Sequence, residues 1–173
     1  MADAIRKYSN LHLINAPAGS GKTTRIRKQI SEHLKDKPKE HILCITYTNR
    51  AANELKSELN YDNVYIGTIH SYLNDLMSGF YDHKKIIELF FEMFHDEIVQ
   101  KINDKADKNE SNKRYIERYG ALDLDTVFKN LKISYGEGQY TSVYYGKLGH
   151  DDLIRFTQKA VEKFPVLKKE NFI

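Results

Sequence analysis

One turn constrains this chain more than any other stretch: "NAPAGSGKTT", residues Asn15 to Thr24, rich in glycine and closed by Lys-Thr. Leu11-His12-Leu13-Ile14 in front of it reads as a short strand. Behind it Ile26, Ile30 and Leu34 recur every four residues, as one face of a helix does. A glycine-rich turn between strand and helix converges backbone N–H groups on an anion, and the helix N-terminus adds the positive end of its dipole. The anion that suits such a cradle is a phosphate chain. In the pattern G-x-x-x-x-G-K-[ST] the lysine reaches the terminal phosphates and the hydroxyl takes a Mg²⁺ coordination position. Lys22 and Thr23 hold those places, within a candidate nucleotide-binding loop of Ala16, Pro17, Ala18, Gly19, Ser20, Gly21, Lys22, Thr23 and Thr24. Ala16 stands where the strict pattern has glycine, a departure of one methyl group.

A chain of 173 residues makes one domain, or a domain with an insertion, and can bury a proper core. Its 27 basic and 24 acidic residues are interspersed, so the net charge of +3 permits a nucleic-acid partner without requiring one. The single cysteine, Cys44, lies in the apolar run Ile42-Leu43-Cys44-Ile45, as a buried structural thiol would, and rules out a disulfide framework. No stretch of 18 apolar residues occurs, so neither secretion nor membrane spanning is expected and a cytoplasmic protein is the default. The seven histidines are scattered, with no i, i+4 ligand pair.

The first 80 residues repeat one theme of short apolar strand, turn and amphipathic helix, the signature of a parallel sheet. The second strand is Ile42 to Thr46, apolar throughout as a strand covered on both faces would be. Its helix starts near Asn49 and buries Ala52, Leu55 and Leu59. The third strand is Val64-Tyr65-Ile66, after which Thr68 caps a helix with apolar residues Ile69, Tyr72, Leu73, Leu76, Met77 and Phe80. Beyond residue 80 the pattern turns helical. Ile87, Phe90, Phe91, Phe94 and Ile98 mark a long helix, the polar run Asn103 to Lys113 reads as a loop or solvated connection, and Asp125 to Leu131 as a further helix. "SYGEGQYTSVYYGKLG", Ser134 to Gly149, suggests turns or a small hairpin. Its four tyrosines either cover a neighbouring core or stack on nucleobases. The last helix, Asp151 to Phe164, buries Leu153, Phe156, Ala160 and Phe164.

Three stretches in order, "APAGSGKTT", "ITYTNRAANEL" (Ile45 to Leu55) and "IGTIHSYL" (Ile66 to Leu73), resemble the opening motifs of UvrD/Rep-like superfamily 1 DNA helicases, usually A-G-A-G-S-G-K-T, F-T-N-K-A-A and G-T-F-H. His150-Asp151-Asp152-Leu153 is similar to the D-F-D-D-L stretch that leads that family toward its Walker B strand. The resemblance implies an α/β P-loop NTPase (RecA-like) parallel sheet with a helical insertion. It divides the chain into a P-loop core (1–80), an insertion (81–149) and a helix returning to the motor core (150–173). It also implies ATP and Mg²⁺ at the loop, with Thr23 as the metal ligand. Single-stranded or partly duplex DNA would lie at Thr46, Tyr47, Thr48, Asn49, Arg50, Thr68, His70 and Ser71. Those positions fall at the carboxyl ends of adjacent parallel strands, the ligand edge of an open α/β sheet. Helix capping explains Thr48, Asn49 and Thr68 equally well, and the two roles are compatible. Ile69 stands where the family carries an aromatic, while Tyr47 keeps one in the preceding motif. The glutamine motif that reads adenine has no clear counterpart in "MADAIRKYSNLH".

Hydrolysis of ATP needs an acidic site that holds Mg²⁺ and orients water, and an arginine on the transferring phosphoryl group. Asp96-Glu97 falls on the face of a predicted helix, and Asp151-Asp152 opens a helix with no strand expected before it. The expectation is therefore the front portion of a helicase motor, its sheet incomplete, catalytic residues unknown, with the remaining helicase domains acting in cis or in trans. Two alternatives remain. One is a stand-alone P-loop nucleotide kinase or switch, with Arg114 and Arg118 as candidate lid arginines. The other is a non-catalytic binding module on the same fold, against which the intact Lys22-Thr23 pair argues.

Overall fold

A computed structural model describes Pro17 and residues 19–103, 110–136 and 143–168. It is a mixed α/β structure with two small sheets, and the chain divides into two compact units. The first unit holds the described residues up to Cys44 together with Thr48–Ile66. The second holds Ile45–Tyr47 and the described residues from Gly67 onward.

Along the chain helix α1 (Lys22–Asp36) is followed by strand β1 (Ile42–Thr46), helix α2 (Asn49–Lys56) and strand β2 (Val64–Thr68); both helices lie in the first unit, and the last two residues of each strand belong to the second. Ile30 and Leu34 of α1, Ala52 and Leu55 of α2, Leu59 and Ile66 form its core, against which Ile42, Cys44 and Val64 pack. Ile26, expected on the buried face of α1, is exposed. A second correction concerns β1, which alternates rather than being covered on both faces. Ile42 and Cys44 turn toward the core, whereas Leu43 and Ile45 are 44% and 41% exposed. Cys44 is only half-buried, yet that burial pushes its thiol pKa up.

Strands β1 and β2 pair with each other. The Ile42 N–H donates to the Asn63 carbonyl at 2.9 Å, and the Thr46 hydroxyl donates to the Gly67 carbonyl at 3.4 Å. The register thus rises along both strands together, which is the parallel arrangement, with α2 in the crossover. On the helical side, the Arg27 guanidinium of α1 is paired with Glu58 and lies 3.9 Å from Glu54.

The second unit is built from α3 (Ile69–Ser78), α4 (Lys84–Asn103), α5 (Glu110–Tyr119), α6 (Leu124–Asn130), strand β3 (Ser134–Tyr135), a 3₁₀ turn (Val143–Tyr145), strand β4 (Lys147–Leu148), α7 (His150–Lys163) and a closing 3₁₀ turn (Pro165–Lys168). Helix α4 buries Ile86, Leu89, Phe90, Phe94 and Ile98, an apolar stripe at helical spacing. Phe90 lies 4.7 Å from Phe94 and 5.7 Å from Phe156 of α7, ring centre to ring centre. Helix α7 buries Leu153, Phe156, Thr157 and Ala160, while Phe164, expected inside, is its half-buried C-cap.

Two readings of this unit change. The polar run Asn103 to Lys113 is not all loop: α4 continues to Asn103 and α5 begins at Glu110, with Asn112 fully buried. Asn112 Oδ1 accepts the Tyr144 hydroxyl at 2.9 Å, and its Nδ2 donates to the Lys101 carbonyl at 3.4 Å. The polar residue belongs to a satisfied internal network, which is how buried amides are tolerated. Likewise the tyrosine-rich segment contains no hairpin among its described residues, because β3 and β4 pair in parallel, Ser134 with Lys147 and Tyr135 with Leu148. Gly146 makes this possible. Its φ is +74°, and a Cβ there would lie 2.3 Å from the Lys132 carbonyl oxygen.

Candidate functional site

The phosphate-loop candidates that are described lead straight into α1. Gly19 and Gly21 both have positive φ, 75° and 77°, with open space where side chains would be. Only glycine adopts such a backbone without strain, and it leaves the loop N–H groups accessible. Gly21 is the N-cap of α1 and supplies no side-chain cap. The first turns of α1 hold Lys22, Arg25, Arg27 and Lys28, and its first turn has no acidic residue. Positive side chains at the positive end of a helix dipole oppose its field, and an anion there relieves the mismatch. Lys22 Nζ donates to the Pro17 carbonyl at 2.6 Å and so spans the turn, while Ser20, Gly21 and Thr24 are exposed and Thr23 half-buried. Ala16 and Ala18 lie outside the described residues.

The second group of candidates follows the chain out of the carboxyl ends of β1 and β2. Thr46 reaches the Gly67 carbonyl, and Thr68 ends β2, almost buried, as the N-cap of α3. Its Oγ1 accepts the Ser71 N–H at 3.2 Å and lies 2.9 Å from the Ser71 hydroxyl. Tyr47 is fully exposed. Next along the chain, Thr48 caps α2, its Oγ1 accepting the Ala51 N–H at 3.2 Å, and Asn49 and Arg50 occupy the exposed first turn. The capping expectation is met at both threonines, whereas Asn49, also expected as a cap, is the first residue of α2 instead.

His70 has neighbours that the motif comparison did not single out. Its ring lies 4.1 Å from that of His150, the first residue of α7, and 6.2 Å from Tyr135 on β3. The signal was present in the tyrosine-rich segment, but which tyrosine meets His70 depends on the β3–β4 pairing.

The acidic candidates stay where the sequence put them. Asp96 and Glu97 are exposed on α4, and Asp151 and Asp152 occupy the first turn of α7. One detail differs, since the two-residue strand β4 does precede α7. Arg114 faces Glu110 at 3.5 Å, and Arg118 lies over the Tyr119 ring at 5.2 Å. Among the described residues no cluster of three potential metal ligands occurs, and no helix is long and apolar enough to cross a membrane.

Comparison with known proteins agrees with the motif order. The profile of the UvrD/REP helicase N-terminal domain matches residues 1–169. The Gabija protein GajB of Bacillus cereus (strain HuB5-5) is 33% identical over 128 residues, which cover 70% of this chain but 18% of that protein. The chain thus spans less than a fifth of that relative's length, and no solved structure matches significantly. A match over all but the last four residues assigns the chain to the UvrD/REP helicase N-terminal domain family.

Proposed function

We propose that this chain is the ATP- and DNA-binding front portion of a UvrD-like DNA helicase, with hydrolysis and strand translocation depending on further helicase domains, in cis or in trans. In this reading residues 1–80 are the P-loop core, 81–149 an insertion and 150–173 the return to a RecA-like motor fold. The observation that carries it is the turn into α1, with its two left-handed glycines and with cations but no carboxylate at the helix start. Ala16 to Thr24 cradle the phosphates, Lys22 neutralises the terminal ones and the Thr23 hydroxyl ligates Mg²⁺, which supplies charge neutralisation at the phosphates. Thr46 to Arg50 and Thr68, His70 and Ser71 contact single-stranded DNA at the strand ends. The shared family and the similarity to the Gabija protein GajB support this assignment.

The test is ATP binding with Mg²⁺, with and without single-stranded DNA, using Lys22→Ala as the control. Loss of a charge-assisted phosphate contact costs about 1.5–3 kcal/mol, or roughly a 10- to 150-fold weaker affinity. Nucleotide affinity unchanged in that variant would sink the assignment. Binding without turnover fits a front portion, whereas DNA-stimulated turnover by these 173 residues would reveal a catalytic acid within them.

A further inference from the structure

Beside the stripe that α4 buries, a second row of side chains runs along the same helix toward α6. Phe91, His95, Val99 and Ile102 follow at i, i+4, i+8 and i+11, and the three apolar members are only half-buried. On α6, Leu124 and Phe128 stand at i, i+4 and are 39% and 50% exposed. The Phe91 and Phe128 rings lie 4.9 Å apart, centre to centre. Val99 and Ile102, about two and three turns further along α4, share a groove of about 440 Å³ with Leu124, one turn earlier on α6. The two helices therefore run antiparallel on this face, and their outer sides form one apolar trough. An exposed aromatic over such a trough marks a contact surface rather than a core.

Charge decides what such a trough suits. Asp123 and Asp125 line the groove, and Asp96, fully exposed, stands one turn before Val99 on α4. The Thr126 backbone N–H donates to the Asp123 carboxylate and holds its pKa down, so that group stays charged at neutral pH. Among the described residues none of the three carboxylates is paired with a lysine or arginine, unlike Glu88, which faces Lys84, and Glu92, which is paired with Lys163. Lys101 and Lys129, close in sequence, do not line the groove. Lys129 instead lines a separate hollow with Arg118, which Asp125 also borders.

We infer that the trough between α4 and α6 is a docking site for a basic amphipathic helix of a partner protein. The sides of two helices offer no unpaired backbone groups, so a segment lying there has to satisfy its own backbone hydrogen bonds, as a helix does. The row from Phe91 to Ile102 is about 16 Å long, or three helical turns, which sets the length of contact. Apolar anchors at helical spacing enter beside Phe128 and Leu124, and lysines or arginines flanking them meet Asp96, Asp123 and Asp125. The same three carboxylates repel DNA phosphates, and a second copy meeting this face with its own would set like charges against one another. This site is independent of the ATP- and DNA-binding reading.

The probes are two fluorescein-labelled helical peptides of about four turns, with the same leucine stripe at i, i+4, i+7 and i+11 and either lysine or glutamate on the polar face. The unmodified chain should bind the lysine peptide and not the glutamate one. Phe128→Ser and Leu124→Ser, both at exposed positions, should each weaken that binding about tenfold while far-UV circular dichroism stays unchanged. The double variant Asp96→Lys, Asp125→Lys should exchange the preference, losing the lysine peptide and gaining the glutamate one. Local unfolding does not produce such an exchange, so this variant decides even where a serine variant fails to fold. Equal binding of the two peptides, no binding of the lysine peptide, or binding indifferent to both serine variants overturns the proposal. A concentration-dependent dimer in sedimentation that Phe128→Ser dissolves also overturns it, and gives the face to a second copy.

Discussion

Among the described residues, six buried apolar side chains support the first unit, whereas eighteen support the second, eight of them on α4 and α7 alone. The first unit carries the turn proposed to hold phosphate, and the described residues of the second carry no nucleotide motif. A phosphate loop works through backbone N–H groups and one lysine, so it needs open glycines and a helix end rather than mass beneath it. The second unit orders a ring cluster and a short parallel sheet from segments far apart in sequence, and that requires a deep core. Function and stability are therefore separable by substitution, and the contrast is open to test.

The largest effect is expected at Phe90. It is fully buried and packed against Phe94 and Phe156, so Phe90→Ala should destabilise the second unit by about 3–5 kcal/mol through lost burial and a residual cavity. Leu55→Ala in the first unit should cost less, about 2 kcal/mol, because a core of six side chains collapses more readily around the gap. Hydrogen exchange read by peptide locates each loss: Phe90→Ala should speed exchange in α4 and α7, and Leu55→Ala in α1 and α2. Equal loss of protection in both units from either variant would break the comparison, since the two cores would then unfold as one.

Gly146→Ala comes next. A left-handed φ costs a residue with a side chain about 1–2 kcal/mol, and the added Cβ would collide with the Lys132 carbonyl, for a total of about 2–3 kcal/mol. The damage falls on the β3–β4 pair, whose Ser134 N–H donates to the Gly146 carbonyl at 2.8 Å. Denaturant midpoints measure the cost. Gly21→Ala places a methyl group in open space at a similar φ, so it should cost only the backbone part. Equal losses at the two positions would show that the close approach at Lys132 adds nothing.

Legibility from sequence follows the same division. The turn at Gly19 and Gly21, the capping threonines Thr48 and Thr68 and the helical stripe through Phe90 and Phe94 were readable because each is a local rule: left-handed backbone, a hydroxyl before a helix, apolar spacing. Asn112 was not readable. Its burial depends on Tyr144, 32 residues away, and in isolation an asparagine within a charged run resembles a solvated loop. The parallel β3–β4 pairing and the meeting of His70 with His150 are non-local in the same way. Leu43 and Ile45 failed for another reason. A run of apolar residues states that a strand suits burial, but not which of its faces is covered. The α/β character and the family emerged from the sequence, while the neighbours of His70 required the fold.

The smallest effect is the most selective. Thr48 caps α2 in the first unit and is also a proposed DNA contact, so a loss of DNA binding in Thr48→Ala alone would be ambiguous. Removing the cap should cost about 1 kcal/mol of stability. Thr48→Asp separates the roles, because aspartate caps a helix as well as threonine and favours the positive end of its dipole, yet brings a negative charge to a surface that would meet phosphates. Its midpoint in denaturant should return to that of the unmodified chain while its affinity for single-stranded DNA stays reduced, and more so at low salt, where screening is weakest. Restored stability with restored DNA affinity would leave Thr48 a cap alone and confine the proposed DNA contacts of the strand ends to Thr46, Tyr47, Asn49, Arg50, Thr68, His70 and Ser71.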